Sequence, residues 1–185
     1  MCSGIVDSLK EGYDYSKVAK YFYGEIPHPR AIEIANYEFF WNVRDELAPF
    51  GTEDAYIAFE ELCTWIRENP ETPIIKCFEW ILECWELNLN DFNDSILEEE
   101  NIRKLILDYD FDEDLMMLDT AIIVTGFGQL VLQGKIDVDT KNIIQLSILR
   151  QMNSQVLDAF LGSNEQWKFE RYKYLSKLLD ILEEA

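Results

Sequence analysis

Four aspartates alternate through residues 108–114, at Asp108, Asp110, Asp112 and Asp114, and Asp119 follows five residues after the last of them. A calcium loop gathers hard oxygen ligands in this way, and the five fall at the first, third, fifth, seventh and twelfth places of an EF-hand-like loop. Two places work against the ion. Glu113 stands sixth, where the sharp turn requires glycine, and the twelfth residue is aspartate rather than the longer glutamate that reaches the ion with both oxygens. These aspartates are weak metal candidates, and a solvated acidic helix junction is the preferred reading. A magnesium-dependent phosphoryl site has the same carboxylates available, but no basic residue nearby to bind a phosphate.

The remaining chemistry is sparse. The single histidine, His28, sits between Pro27 and Pro29 with no nucleophile placed beside it, so a Ser/His/Asp or Cys/His arrangement is not expected. One histidine is too few for a di-iron bundle site, and Cys2, Cys63, Cys77 and Cys84 have neither CxxC nor zinc-ligand spacing. The last three lie in apolar helical patterns and are expected to be free, buried thiols. Gly126-Phe127-Gly128 lacks the third glycine of a dinucleotide fingerprint and the ending of a P-loop. Its simplest use is to thin one side of a helix for a close neighbour. No catalytic residue and no cofactor are expected, and the chain reads as a non-enzyme.

Charge is the stronger signal. The formal net charge is −20, and it is uneven: residues 1–95 carry 19 acidic and 7 basic side chains, residues 96–134 carry 9 and 2, and residues 135–185 carry 8 and 7. Such a field repels nucleic acid and anionic membranes and attracts cationic proteins. The expected partner is a basic protein, with no direct nucleic-acid binding and no membrane association. Arg171, Lys173 and Lys177 form the one notable basic cluster, offset by Glu170 and Asp180. The expected function is a non-enzymatic acidic binding protein, an inhibitor or immunity protein for a nuclease or nucleic-acid-binding enzyme. Its partner-binding candidates are Glu98, Glu99, Glu100, Asp108, Asp110, Asp112, Glu113, Asp114 and Trp80. The aromatics Phe39, Trp80, Tyr172 and Tyr174 are candidates for an exposed patch within the acidic surround. Two alternatives stand beside this reading: an adaptor subunit that self-associates through apolar helix faces, and a divalent-metal enzyme using carboxylates alone. The opening MCSGIVDSLKEG carries no secretory pattern, and a cytoplasmic location is expected.

The elements that must position these groups are helices. With 48% apolar and 14% aromatic residues the chain can bury a core despite its charge. Residues 115–132, LMMLDTAIIVTGFGQLVL, are apolar on nearly every side, which predicts a buried central helix. Thr125, Gln129 and Gln133 recur four apart as one stripe that reaches toward water, and Asp119 is expected in an exposed first turn, the alternative being a buried site with a partner such as Arg or Tyr. The β-branched TAIIVT and the two glycines leave a β-hairpin at 119–133 as the minority reading. Around this spine, helical spacing predicts amphipathic helices over 15–23, 30–47, 52–68, 73–86, 96–109, 139–161 and 164–182. Thr52 and Asn164 are expected N-caps, as are Thr72 and one of Asp137 and Asp139. Trp167 and Tyr174 are expected on the packing side of the last helix. The sum is an all-α, compact single-domain bundle of seven or eight helices, one acidic domain over 1–185.

Overall fold

The computed structural model describes residues 22–107 and 115–185. The helix expected at 15–23 falls almost wholly outside them, as do Cys2 and the run Asp108, Asp110, Asp112, Glu113 and Asp114. Among the described residues the fold is all-α, compact and without strands, with nine α-helices. They are α1 (Pro29–Ile34), α2 (Glu38–Trp41), α3 (Glu53–Glu68), α4 (Ile75–Cys84), α5 (Glu99–Leu107), α6 (Met117–Gln133), α7 (Lys141–Gln151), α8 (Ser154–Leu161) and α9 (Glu165–Glu184). A 3-10 turn, Asp94–Leu97, precedes α5.

The apolar spine is α6, a continuous helix, so the hairpin reading of 119–133 is set aside. Every residue from Ile122 to Val131 is buried. Helices α1, α3, α4 and α7 pack around it, and α9 packs on α7. Phe40, Phe50, Phe59 and Phe127 are fully buried at the centre, with Phe40 edge-on to Phe127 at a centroid distance of 5.8 Å. Beside this core, α5 and α8 pack on each other over a smaller cluster of Ile102, Leu115, Met116 and Val156. No described helix is long and apolar enough to cross a membrane.

The two glycines of α6 serve two neighbours rather than one side. A Cβ on Gly126 would stand 2.3 Å from Ile144 Cδ1 of α7, and one on Gly128 would stand 2.5 Å from Leu62 Cδ2 of α3. Two residues apart on a helix point to nearly opposite faces, so the pair lets α7 and α3 approach from both flanks. The expected polar stripe is also corrected. Thr125 and Gln129 are buried, and Gln133 alone is exposed. Gln129 donates to Gln133 Oε1 at 3.1 Å and accepts from the Asp137 N–H at 3.1 Å, which fastens the turn after α6.

The helix count exceeds the expected seven or eight because two long periodic stretches are each broken. Within 30–47, Tyr37 adopts an extended conformation, and the Trp41 indole donates to the Ala35 carbonyl at 2.8 Å, closing α1. Within 139–161, Asn153 is extended and its side chain accepts from the Gln155 N–H at 2.8 Å. An asparagine side chain that bonds the nearby backbone competes with helix continuation, and here it starts α8. Thr52 and Asn164 cap α3 and α9 as expected, accepting from Ala55 and Trp167 N–H at 3.1 Å each. Thr72 and the aspartates do not cap. Helix α4 begins at Ile75 after Ile74, and α7 follows Thr140, whose hydroxyl donates to the Asp137 carbonyl at 2.8 Å.

Candidate functional site

Polar groups gather in two places, one buried and one open. The buried one begins at Asp119. It is fully buried, not exposed in a first turn, and its carboxylate takes two hydrogen bonds from Arg150 of α7, Nε to Oδ2 at 3.1 Å and Nη2 to Oδ1 at 2.6 Å. The Arg150 guanidinium also lies 5.1 Å from the Phe92 ring centroid, a cation–π position. Burial pushes the Asp119 carboxyl upward. The charge and hydrogen bonds of Arg150 oppose that rise, with smaller help from Ser147 and Arg171. On α9, Arg171 is buried as well, which removes it from the expected basic surface cluster. It donates to the Leu47 carbonyl at 2.7 Å and to Gln151 Oε1. Burial pulls Arg171 down to about 10, against the pull of Asp45 and Asp119. Tyr174 donates to Asp45 Oδ2 at 3.0 Å and stacks on Phe39 at 4.3 Å, so these two aromatics are core rather than surface patch. A carboxylate held this way is spoken for. Asp119 is a structural ion pair that ties α6 to α7, not a free acid, base or metal ligand.

His28 is likewise structural. Its Nδ1 accepts from the Arg30 N–H at 3.2 Å as the N-cap of α1. Its ring lies over Gly134, whose φ of +72° ends α6 and whose missing Cβ would stand 2.2 Å from Nδ1.

The open place is on α3 and α4. Both helices pack on α6 and leave a crevice between them, floored by Ala121 and Thr125. This recess, about 230 Å³, is walled by Ala58, Leu62, Cys77 and Ile81, with Glu61 and Trp80 also lining it. Glu61 and Trp80 also border a wider trough of about 660 Å³ along the outer face of α3. There Tyr56, Ile57 and Trp80 are 44%, 47% and 42% exposed. On the same helix Phe59 is fully buried in the core. Glu60, Glu61 and Glu68 line the trough and make no ion pair among the described residues. Of the two cations of these helices, Arg67 pairs with Glu25 at 3.8 Å and donates to the Thr64 hydroxyl at the edge of the trough at 3.4 Å, and Lys76 pairs with Glu79 at 2.5 Å. Burial pushes the Cys77 thiol up to about 12, with Glu61 adding to the rise, and Cys63 to about 12 with Glu25 and Glu60 adding. These two thiols stay protonated and inert. Cys84, in contrast, is exposed.

Among the sequence candidates that lie within the described residues, Trp80 alone lines this groove. Glu98, Glu99 and Glu100 lie at the start of α5, where Glu100 pairs with Lys104 at 3.0 Å, and α5 packs on α8 rather than on α3 or α4. Among the described residues no group of three or more His, Cys, Asp or Glu side chains could hold a metal ion. Sequence reasoning missed Ile57, Glu60, Glu61 and Glu68. The signal was present: Ile57, Glu60, Glu61, Thr64 and Glu68 recur at helical spacing on the face opposite Phe59 and Leu62. No protein-family model matches this chain, and no curated protein or solved structure is significantly similar to it.

Proposed function

We propose that this protein is a non-enzymatic acidic binding protein that engages a basic protein, as an inhibitor or immunity protein does for a nuclease or another nucleic-acid-binding enzyme. The observation that carries this reading is the α3–α4 surface. The carboxylates of Glu60, Glu61 and Glu68, which make no ion pair among the described residues, border exposed Tyr56, Ile57 and Trp80. Aromatic anchors supply affinity when desolvated, and a like-charged rim steers an oppositely charged partner and rejects others. The net charge of −20 extends that steering over the whole molecule. Asp108, Asp110, Asp112, Glu113 and Asp114 add to the field by their charge alone.

The test is recovery of the partner from the native host, followed by reconstitution from purified components. Binding is expected to weaken steeply between about 50 mM and about 300 mM salt, as screening shortens the reach of the field. The activity of the partner is expected to fall on complex formation. A partner with no excess of basic residues, or an affinity indifferent to salt, overturns the reading.

A second reading, self-association, has its own observation. Trp167 and Phe169 of α9 are exposed, at 53% and 64%, in the part of the chain where charge is nearly balanced. Trp167 was expected on the packing side. Light scattering across a concentration series separates the two: a monomer at all concentrations removes the adaptor reading.

A further inference from the structure

We infer that the α3–α4 groove binds its partner through a cationic amphipathic helix, an apolar side chain of which enters the recess beside Trp80 while its Lys or Arg side chains meet Glu60, Glu61 and Glu68. This inference rests on the binding reading above and names the element that the partner must present.

Three features of the groove select that occupant. The first is charge. Residues 53–86 hold nine acidic side chains and two basic ones, and both basic ones are already paired. A cation laid along the trough therefore meets carboxylates at Glu60, Glu61 and Glu68 that make no ion pair among the described residues, whereas an anion meets the same charges as repulsion. The influence of Glu61 reaches the recess itself, where it helps to hold the Cys77 thiol protonated.

The second is apolar depth at one end. Ala58, Leu62, Ile81 and Ala121 surround a volume that takes a large apolar side chain, and the exposed Trp80 ring stands at its lip. An arrangement of one deep apolar position with carboxylates strung beyond it matches a helix with one apolar stripe and basic flanks.

The third is backbone satisfaction. The walls are helices whose own N–H and C=O groups are paired within α3 and α4, so they offer an extended peptide no strand edge to pair with. A helix brings its backbone hydrogen bonds with it and can bury a face there without stranding polar groups. Its length is set by the trough: Tyr56 to Glu68 spans about 18 Å of helix α3, which matches a partner helix of about three turns.

The experiment uses the full-length chain and fluorescently labelled synthetic peptides of about 14 residues. One peptide carries Leu and Trp on one helical face and Lys on both flanks. A second keeps every Lys and replaces the apolar face with Ser. A third keeps the composition of the first but carries Pro at its centre. The first is expected to bind, and the other two at least about tenfold more weakly, because each loses a large share of the anchor energy. Trp80→Ala and the triple variant Glu60→Gln, Glu61→Gln, Glu68→Gln are each expected to weaken the first peptide about tenfold while the melting temperature holds. Equal binding of all three peptides, or no loss in either variant, overturns the inference. Failure of the groove and failure of the binding reading are separable. If the first peptide does not bind but the purified basic partner still binds with steep salt dependence, the groove inference falls and the acidic-binder reading stands. If that partner also ignores salt, both fall.

Discussion

Asp119 and Glu61 are carboxylates of two helices packed on each other, and their situations are opposite. Asp119 is fully buried and bonded twice by Arg150, which leaves it no capacity for a ligand. Glu61 stands exposed at the mouth of an apolar recess, with no cation assigned to it among the described residues. The same side-chain chemistry serves architecture in one place and remains available in the other. The desolvated charge of Asp119 meets that of Arg150; along α3, charge and exposed aromatics are left together.

The sharpest way to break the buried half is Asp119→Ala. It strands the Arg150 guanidinium in the core, and losing one partner of a buried pair costs about 3–5 kcal/mol. Thermal unfolding is expected about 10 °C lower. Replacing both partners together, Asp119→Leu with Arg150→Met, is expected to recover most of that loss, because no charge is left unpaired. A double variant as unstable as Asp119→Ala shows instead that the pair itself is the source of stability.

Next in size is Gly51→Ala. A Cβ there would stand 1.7 Å from the Asp45 carbonyl oxygen, and backbone cannot move aside as a side-chain tip can. This turn carries the Leu47 carbonyl and Asp45, to which Arg171 and Tyr174 are tied, so the variant attacks the network from its far end. A destabilisation of about 1–3 kcal/mol is expected in denaturant unfolding.

Alkaline pH weakens the interior more gently. Cys63 and Cys77 are raised from an ordinary 9.0 to about 12, and Tyr174 is also raised, in each case chiefly by burial. For a group whose folded pKa lies above its unfolded one, the unfolded chain loses its proton first as pH rises. The stabilisation is complete below pH 9 and drains away between 9 and about 12. The melting temperature is expected to fall from pH 8.5 to pH 10 and the fall to shrink in Cys77→Ala. A flat profile across that interval counts against these assignments.

The smallest effect on stability belongs to the open half. Gln at Glu60, Glu61 and Glu68 is expected to leave the melting temperature within about 2 °C, since exposed surface side chains contribute little to folding. A large drop places those carboxylates in the architecture and dissolves the contrast with Asp119.

The sequence makes the spine of the fold visible because α6 is apolar all round, a pattern that only burial explains. Thr52 and Asn164 are legible because capping is local. Asp119 is not, since its partner Arg150 lies 31 residues away on another helix. The breaks at Tyr37 and Asn153 were hidden inside continuous apolar periodicity, where a single side chain bonding or packing locally ended the helix. For the groove, Trp80 showed as an aromatic in excess of what one neighbour covers. The crevice beneath it did not, because it arises from how α3 and α4 sit apart on α6, at the small residues Ala121 and Thr125.

The proposed binding has the open carboxylates of α3 meet a cation of the partner. Its most direct test is the affinity of the purified basic partner for wild-type protein and for the Glu60→Gln, Glu61→Gln, Glu68→Gln variant, each at about 50 mM and about 300 mM salt. The variant is expected to bind at least about tenfold more weakly at low salt and to lose less on going to high salt. Equal affinities and equal salt dependence for the two proteins contradict it.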